Sequence, residues 1–392
     1  MTLKTWKPIL LLAVCQGLGM SGSSLIATTA ALVGYSLAID KSDATLPLAF
    51  QFVVTMLTTI PASNLMRRIG RRAGFWLGAA VGIVGAAIAT VSIFQNSFWG
   101  FTIGSGVIGG FYGFAIFFRF AAADVAEDRH RARAISLVLT GGVAAAVIGP
   151  NLARYSRDVF EPVLFAGCYL ALIFLYLGVS AVLAFVQIPR PTETIGGRTG
   201  RSLLEVIRQP ICYTAMFCSA AAYGVMALVM NATPLAMLAC NHDFGDTALV
   251  IQWHVLGMYA PSFVTGHLIS RFGVLNVMVA GAVLLAACVG VNLSGDSVNF
   301  FWAALVLLGV GWNFLFVGAT TLLTQSHRPA ERAKIQGVND FLMYGMVTLS
   351  ALTAGKVQHD FGWAAINLGV VPVIGLAVVA ILWLRRHPAA PG

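Results

Sequence analysis

Four side chains in the second half of the sequence, Met226, Met230, His254 and Met258, carry soft or borderline donor atoms inside otherwise apolar runs. They form two pairs with one spacing, Met226-Ala-Leu-Val-Met230 and His254-Val-Leu-Gly-Met258. Residues four apart on a helix lie on nearly one face about a turn apart, so each pair aims two donors in one direction. Thioether sulfur and neutral imidazole suit Cu(I), whereas Mg²⁺, Ca²⁺ and Mn²⁺ favour the oxygen ligands that these stretches lack. Methionine binds without losing a proton, and a neutral thioether holds metal less firmly than a thiolate, which suits passage. A packing role is equally compatible with the residues, since methionine fills irregular gaps between helices. Spacing alone leaves both readings open.

Composition says what must hold these residues. Of 392 residues, 58% are hydrophobic and 10% charged, against about 25% charged in an ordinary soluble domain. Runs of about 20 apolar residues cross a bilayer, and they do so as helices because a spanning segment must satisfy its own backbone hydrogen bonds. Runs bounded by charge or turn residues predict spans at roughly 8–36, 46–66, 73–94, 98–119, 134–155 and 161–187 in the first half. The second half gives roughly 211–238, 248–270, 274–294, 299–323, 334–355 and 361–384. The expected fold is an all-α membrane protein, with twelve transmembrane helices in two six-helix bundles. Residues 1–187 form the first bundle, 188–210 a cytoplasmic linker with three prolines, three glycines and four arginines, and 211–392 the second bundle. The run after Lys7 continues to about residue 36 without a cleavage site, so it reads as a span and not a signal peptide.

The formal net charge is +9, and the placement of the charges explains it. With the N-terminus inside, 20 of the 24 Lys and Arg residues fall on the cytoplasmic side, leaving Lys41, Arg154, Arg157 and Lys356 outside. That asymmetry predicts both termini in the cytoplasm. The basic excess therefore encodes topology, with a lipid bilayer and no nucleic acid as partner. Six cysteines at or within spans argue against a secreted disulfide framework. His254 alone among seven histidines falls in the bilayer interior, where ionisable residues are functional candidates by default. Counting ~1.5 Å per residue from the outer helix ends places Met230 and His254 about 12 and 9 Å deep, and Met226 and Met258 about 18 and 15 Å deep. The two pairs would thus make an outer and an inner station.

The punctuation of the first half returns in the second. Ser63-Asn-Leu-Met-Arg67-Arg68-Ile-Gly70-Arg71-Arg72 follows the second span, and Gly266-His-Leu-Ile-Ser270-Arg271-Phe-Gly273 follows the eighth. Arg131-Ala-Arg133-Ala-Ile135 precedes the fifth span, and Arg332-Ala-Lys334-Ile335 the eleventh. Such recurrence marks an internal duplication. On these residues the chain resembles the major facilitator superfamily over its whole length. It keeps Arg68, Gly70, Arg71 and Arg72 of that family's Gly-x-x-x-Asp-Arg-x-Gly-Arg-Arg loop, but has Ser63 for the glycine and Arg67 for the aspartate. Gly149-Pro150 is similar to a signature of the family's antiporters. The resemblance implies a substrate site near mid-depth between two bundles, lined by spans 1, 4, 7 and 10.

Within that superfamily, Met226, Met230, His254 and Met258 look like the paired motifs of the CcoA-type bacterial copper importers. That resemblance implies a monomeric secondary transporter in the bacterial inner membrane. It would carry copper, as Cu(I) or a small copper complex, toward cbb-type cytochrome oxidase assembly, with no permanently bound cofactor. Cys218 and Cys240 look like accessory metal or thiol residues of that branch, although the position one turn after Cys218 is Ala222. Asp340 in span 11, with Arg68 and Arg271 in the loops, are candidates for coupling or gating, and Asp340 would share a polar pocket with Asn339 and Asn313. No phosphate-binding loop or zinc spacing is present, so no enzyme and no ATP-driven pump is expected. The competing readings are a proton-coupled exporter of small organic molecules and a copper sensor or chaperone that binds without transporting.

Overall fold

The computed structural model describes residues 3–127, 134, 137–138, 140–188, 201–328 and 331–387. The Arg131/Arg133 signal and residues 189–200 of the linker lie outside them. In the first half the helices are α1 (Leu3–Leu37), α2 (Leu46–Ile69), α3 (Arg71–Phe94), α4 (Phe98–Ala115), α5 (Phe118–Val125), α6 (Gly141–Ser156) and α7 (Ala166–Leu183). After them come α8 (Leu203–Ile207), α9 (Pro210–Ala239), α10 (Phe244–Tyr259), α11 (Ser262–Phe272), α12 (Val274–Asn292), α13 (Val298–Thr324) and α14 (Arg332–Arg386).

Among the described residues, nine helical stretches are long and apolar enough to cross a membrane. They account for ten of the twelve expected spans, because α14 carries the eleventh and twelfth, joined at Gly362 with φ 77°. The remaining two differ for identifiable reasons. Of the fifth, the structure describes α6 (Gly141–Ser156), much of the sequence before it lying outside the described residues, and the eighth is broken into α10 and α11 at Pro261. Large apolar side chains such as Phe174, Phe263 and Val379 are more than 60% exposed. A surface of that kind belongs in lipid and not in water.

The chain forms two compact units, one of Met1–Glu193 with Asp243–Gln252 and the other of Thr194–His242 with Trp253–Gly392. Small residues let helices in each unit approach to backbone contact, the usual packing device in membranes. In the first, a Cβ on Gly85 of α3 would lie 2.5 Å from the Ile108 nitrogen of α4. In the second, a Cβ on Gly281 of α12 would lie 2.6 Å from the Leu315 nitrogen of α13. The duplication also reaches the backbone: Gly70 (φ 89°, ψ 153°) and Gly273 (φ 85°, ψ 149°) turn the chain after α2 and α11 in a conformation that side-chain-bearing residues avoid. Arg71 beside Gly70 pairs with Asp124 of α5, and Arg72 donates to the Ala184 carbonyl at 2.7 Å. Also in the first unit, Asn151 of α6 donates to Gln252 of α10 at 2.7 Å, and the Arg157 guanidinium lies 5.3 Å from the Phe244 ring.

In the second unit, Arg201 grips Glu331, just before α14. Its backbone N–H and its guanidinium donate to the carboxylate at 2.8–2.9 Å, and the Arg328 N–H adds a fourth bond at 2.9 Å. These donors hold the Glu331 carboxyl well below the usual carboxylate range. A depressed carboxyl contributes stability above its ordinary pKa and loses it as pH falls through the folded value. The clamp should therefore survive mild acid. Arg201→Ala should move its loss up toward ordinary carboxylate pH, which limited proteolysis of the 188–210 segment across an acid series would reveal.

Candidate substrate site

The site grows from the broken eighth span. Pro261 has no N–H, so the helix ladder is interrupted where α10 passes into α11. Asn313 of α13 repairs the break: its Nδ2 donates to the Met258 carbonyl and to Ser262 Oγ, both at 2.7 Å, while its Oδ1 accepts from Thr265 Oγ1 at 2.7 Å. One turn earlier the two helices meet at glycines. A Cβ on Gly309 would stand 2.4 Å from the His254 carbonyl oxygen and 2.9 Å from the Met258 nitrogen. This crossing brings the fully buried His254 against α13, where its Nδ1–H donates to the Leu305 carbonyl at 2.9 Å. The opposite ring nitrogen, Nε2, is buried and has no hydrogen-bond partner among the described residues.

Two turns along α13 from Leu305 stands an aromatic cluster. Trp312 and Phe316 stack with centroids 5.0 Å apart and planes 16° apart. Tyr223 of α9 meets both edge-on at 5.1 and 4.9 Å, and Tyr259 of α10 meets Trp312 at 6.3 Å. Trp312 is 3% exposed, and its Nε1–H has no partner among the described residues. Asn231, two turns beyond Tyr223 on α9, is 1% exposed with both amide atoms likewise unpaired. Aromatic side chains and unpaired polar atoms are features that a planar heteroaromatic ligand uses.

The sequence-derived candidates fall as follows. Met226 and Met258 are buried and Met230 half-buried. Among these and His254, only the histidine side chain makes a hydrogen bond within the described residues. Cys218 is buried, and Cys240, at the end of α9, is half-buried, with its thiol pushed up by burial and by Asp296. That disfavours the thiolate a metal needs. Asn313 is engaged at the span-8 break, and Asp340 is half-buried. Arg68 and Arg271 are exposed, Arg271 lying over the Phe272 ring at 5.3 Å. Among the described residues, no three His, Cys, Asp or Glu side chains gather as a metal site.

Comparison with known proteins settles the family. The Major Facilitator Superfamily pattern matches residues 10–235 and 215–392. The chain belongs to the major facilitator superfamily. It is a multi-pass membrane transporter and not an enzyme, as the sequence led us to expect. Similar superfamily members include the riboflavin transporter RfnT of Brucella anthropi, 40% identical over 97% of this chain and 96% of that one. Two uncharacterized transporters of Bacillus subtilis (strain 168) are also similar. YddS is 28% identical over 97% of this chain and 91% of its own, and YdeG 27% identical over 97% and 92%.

The likeness to RfnT overturns the copper reading, in function and in partner. The motif that suggested copper consists of methionines at a spacing that serves helix packing equally well, and the CcoA-type assignment does not hold for this member of the superfamily. What the sequence reading passed over is the aromatic set. Trp312 and Phe316 share the same four-residue spacing as the methionine pairs, but aromatics are so common in membrane helices that this signal did not stand out.

Proposed function

We propose that this chain transports riboflavin, or a flavin closely related to it, across the cytoplasmic membrane of a bacterium, with both termini inside. The observation that carries the reading is the 40% identity to RfnT across nearly the full length of both chains. Chemistry at the site supports it independently. A flavin has a flat three-ring system bearing carbonyls, and the Trp312, Phe316, Tyr223 and Tyr259 rings supply π-faces while the Trp312 Nε1–H supplies a donor. The strongly basic cytoplasmic loops supply the orientation. In this proposal two six-helix halves, divided at 188–210, alternate access to the site.

A riboflavin-requiring bacterium lacking its own importer gives the simplest test. Expression of this chain should restore growth at low external riboflavin, and the Trp312→Ala form should not. Growth no better than the empty-vector control, with the protein present in the membrane, would refute the proposal.

A further inference from the structure

In the second unit α9 touches α14 closely at Gly224. A Cβ there would stand 3.0 Å from Met346 Cε, and Ser350 Oγ donates to the Gly224 carbonyl at 2.9 Å. Toward their first turns the same two helices leave a groove of about 420 Å³, which Ile207 of α8 also lines. Its walls follow helical spacing, with Tyr213, Phe217 and Ala220 on α9 and Val338, Leu342 and Gly345 on α14. Small residues make the space: nothing lies within 4 Å of a Cβ built on Gly345. From Tyr213 to Ala220, and from Val338 to Met346, the helices rise about 10–12 Å. That is most of the ~15 Å of hydrocarbon in one leaflet.

The wall is apolar apart from the Tyr213 hydroxyl, and Phe341 on it is 60% exposed. A polar cargo would leave its hydrogen-bonding groups unpaired there, whereas an acyl chain has none to pair. The two ends of the groove differ. Arg208 follows Ile207, and Lys334 stands one turn before Val338, on the face of α14 that lines the groove; both are exposed. In sequence, 201–208 and 328–334 carry Arg201, Arg208, Arg328, Arg332 and Lys334 against only Glu205 and Glu331, and Glu331 is already paired with Arg201. At this end Tyr213 also meets Trp383 of the last span, with ring centroids 5.9 Å apart. Tyrosine and tryptophan gather at the head-group level of a bilayer. The basic end of the groove therefore belongs at the polar surface, and the end near Gly224 in hydrocarbon.

The geometry points to a binding site for one anionic phospholipid of the surrounding bilayer, with an acyl chain in the groove between α9 and α14 and its phosphate met by Arg208 and Lys334. Basic residues at the membrane surface beside a gap between helices recognise such head groups by charge. A zwitterionic lipid brings the same chain, but its ammonium offsets the attraction. The site needs only the membrane assignment and does not depend on the cargo.

The test uses the full-length protein purified in detergent and titrated with dioleoylphosphatidylglycerol or dioleoylphosphatidylcholine. Native mass spectrometry gives the dissociation constant of the first lipid bound. The wild type should prefer phosphatidylglycerol, and Arg208→Gln and Lys334→Gln should each weaken that lipid about fivefold, and together about 25-fold, while leaving phosphatidylcholine unchanged. Gly345→Leu, whose side chain enters the acyl space, should weaken both lipids at least tenfold. Gly290→Leu, at an equally open position in α12, should weaken neither. Equal binding of the two lipids by the wild type, charge variants that keep its preference, or a Gly345→Leu form that binds as the wild type does would each overturn the inference. A wild type that has the mass of two chains and takes up no phosphatidylglycerol would also overturn it and give the groove to a second copy.

Discussion

Replacing Trp312 by alanine is expected to lower riboflavin affinity at least tenfold, the larger of the effects foreseen on transport. Trp312 is the one ring of the cluster that touches all three others, at 5.0, 5.1 and 6.3 Å. Stacking of a heteroaromatic ring on an aromatic side chain is worth about 1–3 kcal/mol, or roughly 5- to 150-fold in binding. The alanine form also empties a buried site, and truncating a buried aromatic costs about 3–5 kcal/mol of stability. Trp312→Phe separates the two effects. It keeps most of the packing and a π-face but removes the unpaired Nε1–H, so it should reach the membrane in normal amount and raise KM by about fivefold, the share of one hydrogen bond. Initial uptake rates over a range of riboflavin concentrations, normalised to protein in the membrane, check both variants. A KM unchanged in the phenylalanine form and in the alanine form alike would remove Trp312 from the site.

The second large effect concerns assembly. Gly309→Ala should sharply reduce the amount of folded protein, because its added methyl would stand 2.4 Å from the His254 carbonyl oxygen and 2.9 Å from backbone atoms of Gly257 and Met258. Backbone cannot rotate aside as a side chain can, so α10 and α13 must move apart; overpacking of this kind typically costs about 1–3 kcal/mol or more. The same movement would pull His254 from Leu305 and Asn313 from the Met258 carbonyl. Gly290→Ala in α12 is the contrast: nothing lies within 4 Å of its added methyl, and alanine favours a helix over glycine by about 1 kcal/mol. Heating detergent extracts of both variants and following the monodisperse fraction by size exclusion should show Gly309→Ala lost at a lower temperature than wild type and Gly290→Ala retained. Equal retention of the two would show that the glycine crossing does not determine how α10 meets α13.

Those two results bear on how much of this molecule could be read from its residues. The spans were legible because lipid imposes one rule on backbone, and apolar length reports it directly. The duplication was legible because the tight turns after the second and eighth spans both need glycine, and Gly70 and Gly273 share one conformation. The break in span 8 was less visible: Pro261 sits within an unbroken apolar run, and its repair by Asn313 depends on a residue more than fifty positions away. At the site, His254 was singled out as a histidine within a span and is fully buried, but the copper chemistry read from it was wrong. An imidazole beside methionines at helical spacing suggests a metal, and Nδ1 on the Leu305 carbonyl does not argue against one; it is the likeness to RfnT that overturns the copper reading. Cargo identity resides in which side chains from three helices converge, and spacing along one helix cannot report that.

Uptake by reconstituted vesicles addresses the central claim most directly. Purified protein in liposomes, given labelled riboflavin, should accumulate label above protein-free vesicles, with saturation and with competition by excess unlabelled riboflavin but not by excess free ribose. Accumulation equal to that of protein-free vesicles, from a preparation that is folded and correctly inserted, would contradict riboflavin transport by this chain.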